Sequence, residues 1–458
     1  MVIEKNKSKP LVIAKNLYIS ILLVIFGGIV LHAPISVGFG TLWPDYSLLI
    51  KSWKEILMLI AGLLALFLMY KNKKLEILRD PTIFAIAIYG LLHLLLMFYK
   101  FQGLIPSMAG LAIDLRYVLF FGLVYIAMKL YPEYRRTFIK VGITGAIVVL
   151  VFALLQVYVL PCDVLKYIGY SIDTISPYLT IDKNYDFIRI NSTLRGPNPL
   201  GAYSVIVMSL GFAAIIKNKL ITNKITLLIL GIMFIGGMTV LWFSYSRSAL
   251  IAAIVAISLI VSIALFKKLS IRKWLIAGLL GFIATVAIVS SINSPFVSNI
   301  LLHENPVEGN NINSNEGHLA SLVDGVDRLA VQPFGAGIGS TGSASLMGEK
   351  SVIIENQYLF IAHEAGWLGL IIFMYTFMFI QVRLWKLRNN WLALGVFASG
   401  VGLFLIGIIL PVWVDDTVSI IWWGLAGLAI GSLNIASGEL PVANSNIPID
   451  SSKVGRKR

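Results

Sequence analysis

Residues 248–266 read SALIAAIVAISLIVSIALF, a run without a single charge, opened by Arg247 and closed by Lys267 and Lys268. At 1.5 Å per residue such a helix is roughly 30 Å long, about the thickness of a bilayer's hydrocarbon core. A core helix of a soluble protein keeps a polar face, and this run has none, so it reads as a membrane-spanning helix. Comparable runs fall at 17–33, 50–70, 82–99, 108–128, 138–160, 199–216, 225–243, 274–292, 357–381, 391–411 and 417–434. The pattern predicts an all-α polytopic membrane protein of about twelve transmembrane helices.

Composition agrees. Of 458 residues 58% are hydrophobic and 13% charged, with mean hydropathy +0.85, whereas soluble globular chains carry about 25% charged residues. A soluble enzyme, a nucleic-acid binder and a secreted disulfide scaffold are excluded. The one cysteine, Cys162, cannot form an intrachain disulfide, and the histidines at 32, 93, 303, 318 and 363 lack the spacing of a metal site. No metal and no cofactor are expected. The first run follows Lys5, Lys7 and Lys9, but the small-residue cleavage pattern after it is poor, so it reads as an uncleaved span. The second opens on Lys51, Lys54 and Glu55, which places its start at the interface.

Twelve spans put both termini on one side. With that side cytoplasmic, short loops there hold 26 of the 37 Lys and Arg, against 10 outside and Arg116 within a span. The positive-inside bias thus accounts for most of the net charge of +14 without an anionic partner. Residues 1–292 hold helices one to nine, with an external loop at 161–198. Residues 293–356 form a long external loop, 357–438 the last three helices, and 439–458 a cytoplasmic tail. The long loop starts polar and Asn-rich. From His318 to Val331 its apolar residues (319, 322, 323, 326, 329 and 330) follow a helical period, so an amphipathic helix over the membrane surface is expected.

Several motif matches carry no function. Gly337 to Gly342 fits GxGxxG without a strand–helix unit around it, His363-Glu364 opens an HExxH that never closes, and Asn191-Ser192-Thr193 is a bare glycosylation sequon. The external arginines carry more. Arg189 and Arg195 stand in IRINSTLRGPNPLGAY, and Arg247 in FSYSRSALIA. Any one alone reads as a snorkelling or ion-paired helix-end residue. Three at one membrane level suit a lipid-linked diphosphate, because the guanidinium fork binds phosphate bidentately. Pro197 and Pro199 flank Asn198 at the start of a helix whose N-terminus could add to anion binding. Glu355, where the long loop re-enters the membrane, is a candidate general base, or else an acidic residue favoured by the helix dipole. Asp114 and Arg116 lie about two turns inside the fourth helix. Two residues apart they point to different faces, so each needs its own partner; Arg116 is a further phosphate-binding candidate.

RINSTLRGPNPLGAY, SYSRSALIA one helix hairpin later, a long external loop, PFGAGIGSTG and then ENQYLFIAHEAGWLGL together resemble the O-antigen ligase and polymerase superfamily, over approximately residues 150–385. These are bacterial polytopic glycosyltransferases that use undecaprenyl-diphosphate-linked glycans. The resemblance implies that Arg189 (ahead of Pro197-Asn198) and Arg247 (in Ser246-Arg247) bind the donor diphosphate. Arg195 is then an additional basic residue within the motif. Gly335, Gly337 and Gly339 match the family's glycine-rich turn. The chain departs from the ligases where their His-Asn precedes the helix after the long loop; here the pair is Glu355-Asn356. His318 stands where many relatives have an arginine, and is a weaker candidate for activating the acceptor.

The resemblance therefore implies a metal-independent transfer of a glycan from an undecaprenyl-diphosphate carrier to a sugar hydroxyl of a glycan or glycolipid acceptor. The place would be the external face of a bacterial inner (plasma) membrane. A surface-polysaccharide polymerase is the alternative within the superfamily. A transporter of lipid-linked oligosaccharide is the alternative from another class. It should show internal repeats and mid-membrane polar groups, whereas this chain gathers its polar residues at the outer surface.

Overall fold

The computed structural model describes residues 9–181, 184–217, 224–265, 323, 325–348 and 351–433. The expected ninth span (274–292), His318 and the tail from 439 lie outside the described residues. Within them the helices are α1 (Lys9–Leu42), α2 (Trp53–Lys71), α3 (Pro81–Tyr99), α4 (Leu104–Leu130), α5 (Arg135–Tyr158), α6 (Pro197–Lys217), α7 (Lys224–Phe243), α8 (Arg247–Leu265), α9 (Gln357–Lys386), α10 (Trp391–Gly407) and α11 (Asp416–Ser432). Nine helices among the described residues are long and apolar enough to cross a membrane; α10 and α11, at 17 residues each, are shorter. The chain is an all-α polytopic membrane protein.

The side chains are distributed as a lipid solvent requires. α2 exposes Leu59, Leu63 and Leu66 and buries Ala61 and Ala65. α3 exposes Phe84, Leu91, Leu95 and Phe98 and buries Ala85 and His93. Water would drive the large apolar groups inward. Between lipid-solvated helices small residues allow close backbone approach, and polar ones find partners inside the bundle. α4 packs along α11, and α10 lies against α6 and α8. Trp413, Trp422 and Trp423, all fully buried, stack around Phe377 with ring centroids 5.4–6.3 Å from it.

Local chemistry sets the helix ends. Asp80 caps α3 by accepting from the Thr82 amide at 2.9 Å, with Pro81 in the first turn where its missing N–H costs nothing. Asp415 caps α11 through the Val418 amide, and Asn390 caps α10 through that of Leu392. α1 runs past the expected 17–33 to Leu42, with a 3-10 turn at Ile29–Leu31. Pro34 explains the turn, since it has no N–H to donate to the Val30 carbonyl. The loop 161–198 contains strands as well: β1 (Leu179–Ile181) pairs antiparallel with β2 (Asn184–Arg189), Leu179 opposite Arg189 and Thr180 opposite Ile188. Of the expected amphipathic segment, residues 325–331 are helical.

The bundle has two chemically distinct ends. At one, Asp80 at the start of α3 meets Arg383 near the end of α9 at 2.7 Å. At the other lie the starts of α2, α4, α6, α8, α9 and α11, together with Arg116, Arg189, Arg195 and Arg247. This arginine end holds every candidate site.

Candidate functional site

β2 ends at Arg189, and the next residue is lashed to the neighbouring hairpin: the Ile190 amide donates to the Phe243 carbonyl at 3.2 Å. Residues 190–194 then thread through the protein fully buried. Asn191 donates to Ser176 O, and Ser192 bonds Gln156 through its amide and the Val149 carbonyl through its hydroxyl. The α7–α8 turn reaches the same place through Ser244, Tyr245 and Ser246. Ser192 (φ +50) and Tyr245 (φ +45) both hold left-handed backbone without being glycine, at a cost of order 1–3 kcal/mol each. Gly201 of α6 lets that helix close on the turn, because a Cβ there would stand 2.8 Å from the Ala249 Cβ.

These constraints hold Arg189 within electrostatic reach of Arg247. Arg189 donates from Nε to the Ser244 carbonyl at 2.8 Å and from Nη2 to Asn198 Oδ1 at 2.6 Å. Arg247 is the first residue of α8 and acts electrostatically on it. Burial first, and the Arg247 charge second, lower the Arg189 guanidinium to about 10, which leaves it charged at neutral pH. Both of its hydrogen bonds go to neutral acceptors, so the charge is oriented without being neutralised by them. An anion bridging the two groups would gain charge-assisted bonds from both and relieve their repulsion.

Not lined by Arg189 or Arg247, a cavity of about 640 Å³ opens between α1, α2, α4 and α11. Arg116 ion-pairs with Asp416, donates to the Val414 carbonyl and lies 3.8 Å from Glu55. Lys54, 3% exposed, reaches Glu55 at 3.2 Å and Asp416 at 3.4 Å. His32 faces Asp416 through Nε2 at 3.2 Å and accepts from the Trp53 indole at Nδ1. The Lys54 ammonium also lies 3.3 Å from Nε2, so the ring is held between Trp53, Lys54 and Asp416. Arg195, on the wall of the same cavity, is exposed and near Asp415. Arg195 thus lines this cavity and Arg189 does not.

A third constellation holds the glycine-rich turn. Gly366 (φ +68) breaks α9, and the turn inserts there: the Ala336 amide donates to His363 O at 2.6 Å, the Gly337 amide to Glu364 O at 3.3 Å, and the Trp367 amide back to Pro333 O at 3.0 Å. The Glu364 carboxyl accepts from the Thr341 amide at 3.1 Å and from Gly339 N–H, and faces Asp114, which lies 3.6 Å from His93. Gly339 fits because its φ of +86 suits glycine and any Cβ would stand 2.2 Å from the Pro106 carbonyl. The turn is a packed insertion.

Glu355 is partly exposed one residue ahead of Asn356, which caps α9 through the Tyr358 and Leu359 amides and also donates to Ile408 O. Asp114 and Arg116 take separate partners, as their spacing requires. Sequence reasoning missed His32, Asp416 and the work of Glu364. The adjacent acids Asp415-Asp416 opening the last apolar run were the available signal for the second of these. Among the described residues, no group of three or more His, Cys, Asp or Glu side chains could hold a metal ion. No family model matches the chain, and no curated protein matches it.

Proposed function

We propose that the chain is a membrane glycosyltransferase of the O-antigen ligase-like kind, moving a glycan from an undecaprenyl-diphosphate carrier to an acceptor sugar hydroxyl. The observation that carries this reading is the Arg189–Arg247 pair, oriented by Asn198 and Ser244. In the proposed reaction the acceptor oxygen attacks the anomeric carbon as the bond from that carbon to the phosphate oxygen breaks. The lipid diphosphate leaves with the bonding electrons, and the hydroxyl proton passes to the Glu355 carboxylate. The arginine pair stabilises the charge growing on the leaving group, which is where preorganised donors contribute most. No metal or nucleotide is part of the proposal.

The positive-inside bias supports placing the arginine end outside a bacterial inner (plasma) membrane with both termini cytoplasmic. A polymerase, whose acceptor is a second lipid-linked glycan, is the second reading. Glu355-Asn356 in place of the ligases' His-Asn is the departure that raises it. The test is release of undecaprenyl diphosphate by protein in nanodiscs given an undecaprenyl-diphosphate oligosaccharide and a panel of acceptors. Release should depend on both the acceptor and Arg247. Turnover by Arg247→Ala at the wild-type rate would sink the proposal, as would movement of the lipid-linked sugar across a vesicle bilayer without release. Glu355→Gln should slow transfer by roughly 10²–10⁴-fold while keeping pyrophosphate binding. Full turnover by that variant would remove Glu355 from the mechanism.

A further inference from the structure

We infer that the cavity between α1, α2, α4 and α11 is a subsite for an uncharged, hydroxyl-rich glycan, separate from the arginine pair. Its volume of about 640 Å³ falls within the roughly 300–1,000 Å³ of sites that enclose a small organic ligand. Among the described residues its walls carry four cationic side chains, from Lys51 to Arg195, and four carboxyl groups, from Glu55 to Asp416. That balance gives an anion no net attraction. A phosphate can only accept hydrogen bonds at its ionised oxygens and would meet the carboxylates edge-on. Each sugar hydroxyl can donate and accept at once.

The polar side chains of the wall hold one another in place: Asp416 takes Arg116, Lys54 and His32, and Glu55 takes Lys54 through Oε1. Such fixed, mixed-polarity walls suit neighbouring hydroxyls on a ring. Next to the lining residues Gly40, Thr41 and Pro44, at the end of α1, the Phe39 and Trp43 rings stack 5.5 Å apart at 3° and are about half exposed. Leu42, Leu48 and Leu49 are exposed beside them. Aromatic and apolar groups so arranged belong at a membrane–water boundary, so the glycan arrives on a lipid and turns its sugar inward.

The inference rests on the glycan-transfer reading and adds where the sugar sits. The same chemistry could come from the donor's glycan or the acceptor's. The experiment uses the full chain in nanodiscs, with a panel of neutral and anionic oligosaccharides and, separately, inorganic pyrophosphate. Neutral glycans should bind and anionic ones should not. Glu55→Gln should weaken glycan binding at least about tenfold, because a bond to a charged group is lost, with pyrophosphate binding unchanged. Ala112→Phe, which fills the cavity from α4 without touching the ion pairs, should abolish glycan binding and serves if the Glu55 variant does not fold. Competition between an undecaprenyl-diphosphate oligosaccharide and the free glycan would assign the subsite to the donor's sugar; additive binding would assign it to the acceptor's. Glycan binding untouched by both variants, a preference for anionic glycans, or displacement of glycan by pyrophosphate alone would overturn the inference. Pyrophosphate binding left unchanged by Arg247→Ala would instead break the transferase reading.

Discussion

The protein holds arginine in two opposite ways. At one end Arg383 is enclosed by groups that answer its charge: Asp80 at 2.7 Å, the Thr82 hydroxyl at 2.6 Å and the Tyr125 ring, whose centroid is 5.4 Å away. At the other end Arg189 is held by a carbonyl and an amide oxygen, and its charged neighbour is another arginine. The first arrangement compensates the charge within the fold and ties α3, α4 and α9 together. The second orients Arg189 through neutral acceptors. Buried ion pairs are costly to break. Neutral acceptors aim a guanidinium without pairing it, and that asymmetry separates a clamp from a candidate site.

If the contrast holds, substitutions at the two ends should move different observables. Arg247→Lys keeps the charge but loses the bidentate fork, so transfer should fall by about 10²–10³-fold with the thermal midpoint nearly unchanged. Wild-type turnover by this variant would collapse the contrast from the binding side. Arg383→Met should do the reverse, lowering stability by roughly 3 kcal/mol, the low end for breaking a buried pair because Asp80 stays partly exposed. Thermal unfolding in nanodiscs reads the loss. Pyrophosphate affinity of the surviving folded fraction should match wild type, and an Arg383→Met protein with unaltered midpoint would make the clamp ornamental.

The helices were legible because lipid demands long uncharged runs, and 248–266 states that demand without ambiguity. The 3-10 turn in α1 was less so, since one proline in an apolar run signals a break only once the helix is known to continue past it. The site was legible by residue type and only partly by geometry. Arg189, Arg195 and Arg247 all read as one level, yet five buried residues separate the first two, and only Arg195 of the three lines the cavity. Periodicity cannot foresee that, because the segment 190–194 is neither helix nor strand and its path is set by Gln156 and Val149 on α5. Glu364 was hidden for another reason. Its partners, Asp114 and the amides of Gly339 and Thr341, are distant in sequence, so its spacing to nearby histidine carried no information.

Smaller changes sharpen the contrast further. Asn198→Ala removes the acceptor that aims Arg189, and pyrophosphate affinity should drop about tenfold while stability changes little, a hydrogen bond to a charged group being the quantity lost. A matching drop in the thermal midpoint would show that Asn198 serves packing instead. The smallest effect is expected from Tyr125→Phe at the clamp. Burial alone would raise the Asp80 carboxyl, but the Tyr125 hydroxyl at 2.7 Å, then Arg383 and the Thr82 amide, leave it lowered. A lowered carboxyl contributes stability above the unfolded value of about 3.9 and loses it as pH falls through the folded value. Removing the hydroxyl should cost about 1 kcal/mol at neutral pH and move the acid edge of the stability profile upward. Thermal midpoints measured from pH 7 to pH 3 give both numbers. An edge that stays in place would mean that Arg383 and the Thr82 amide hold Asp80 ionised without help from the tyrosine.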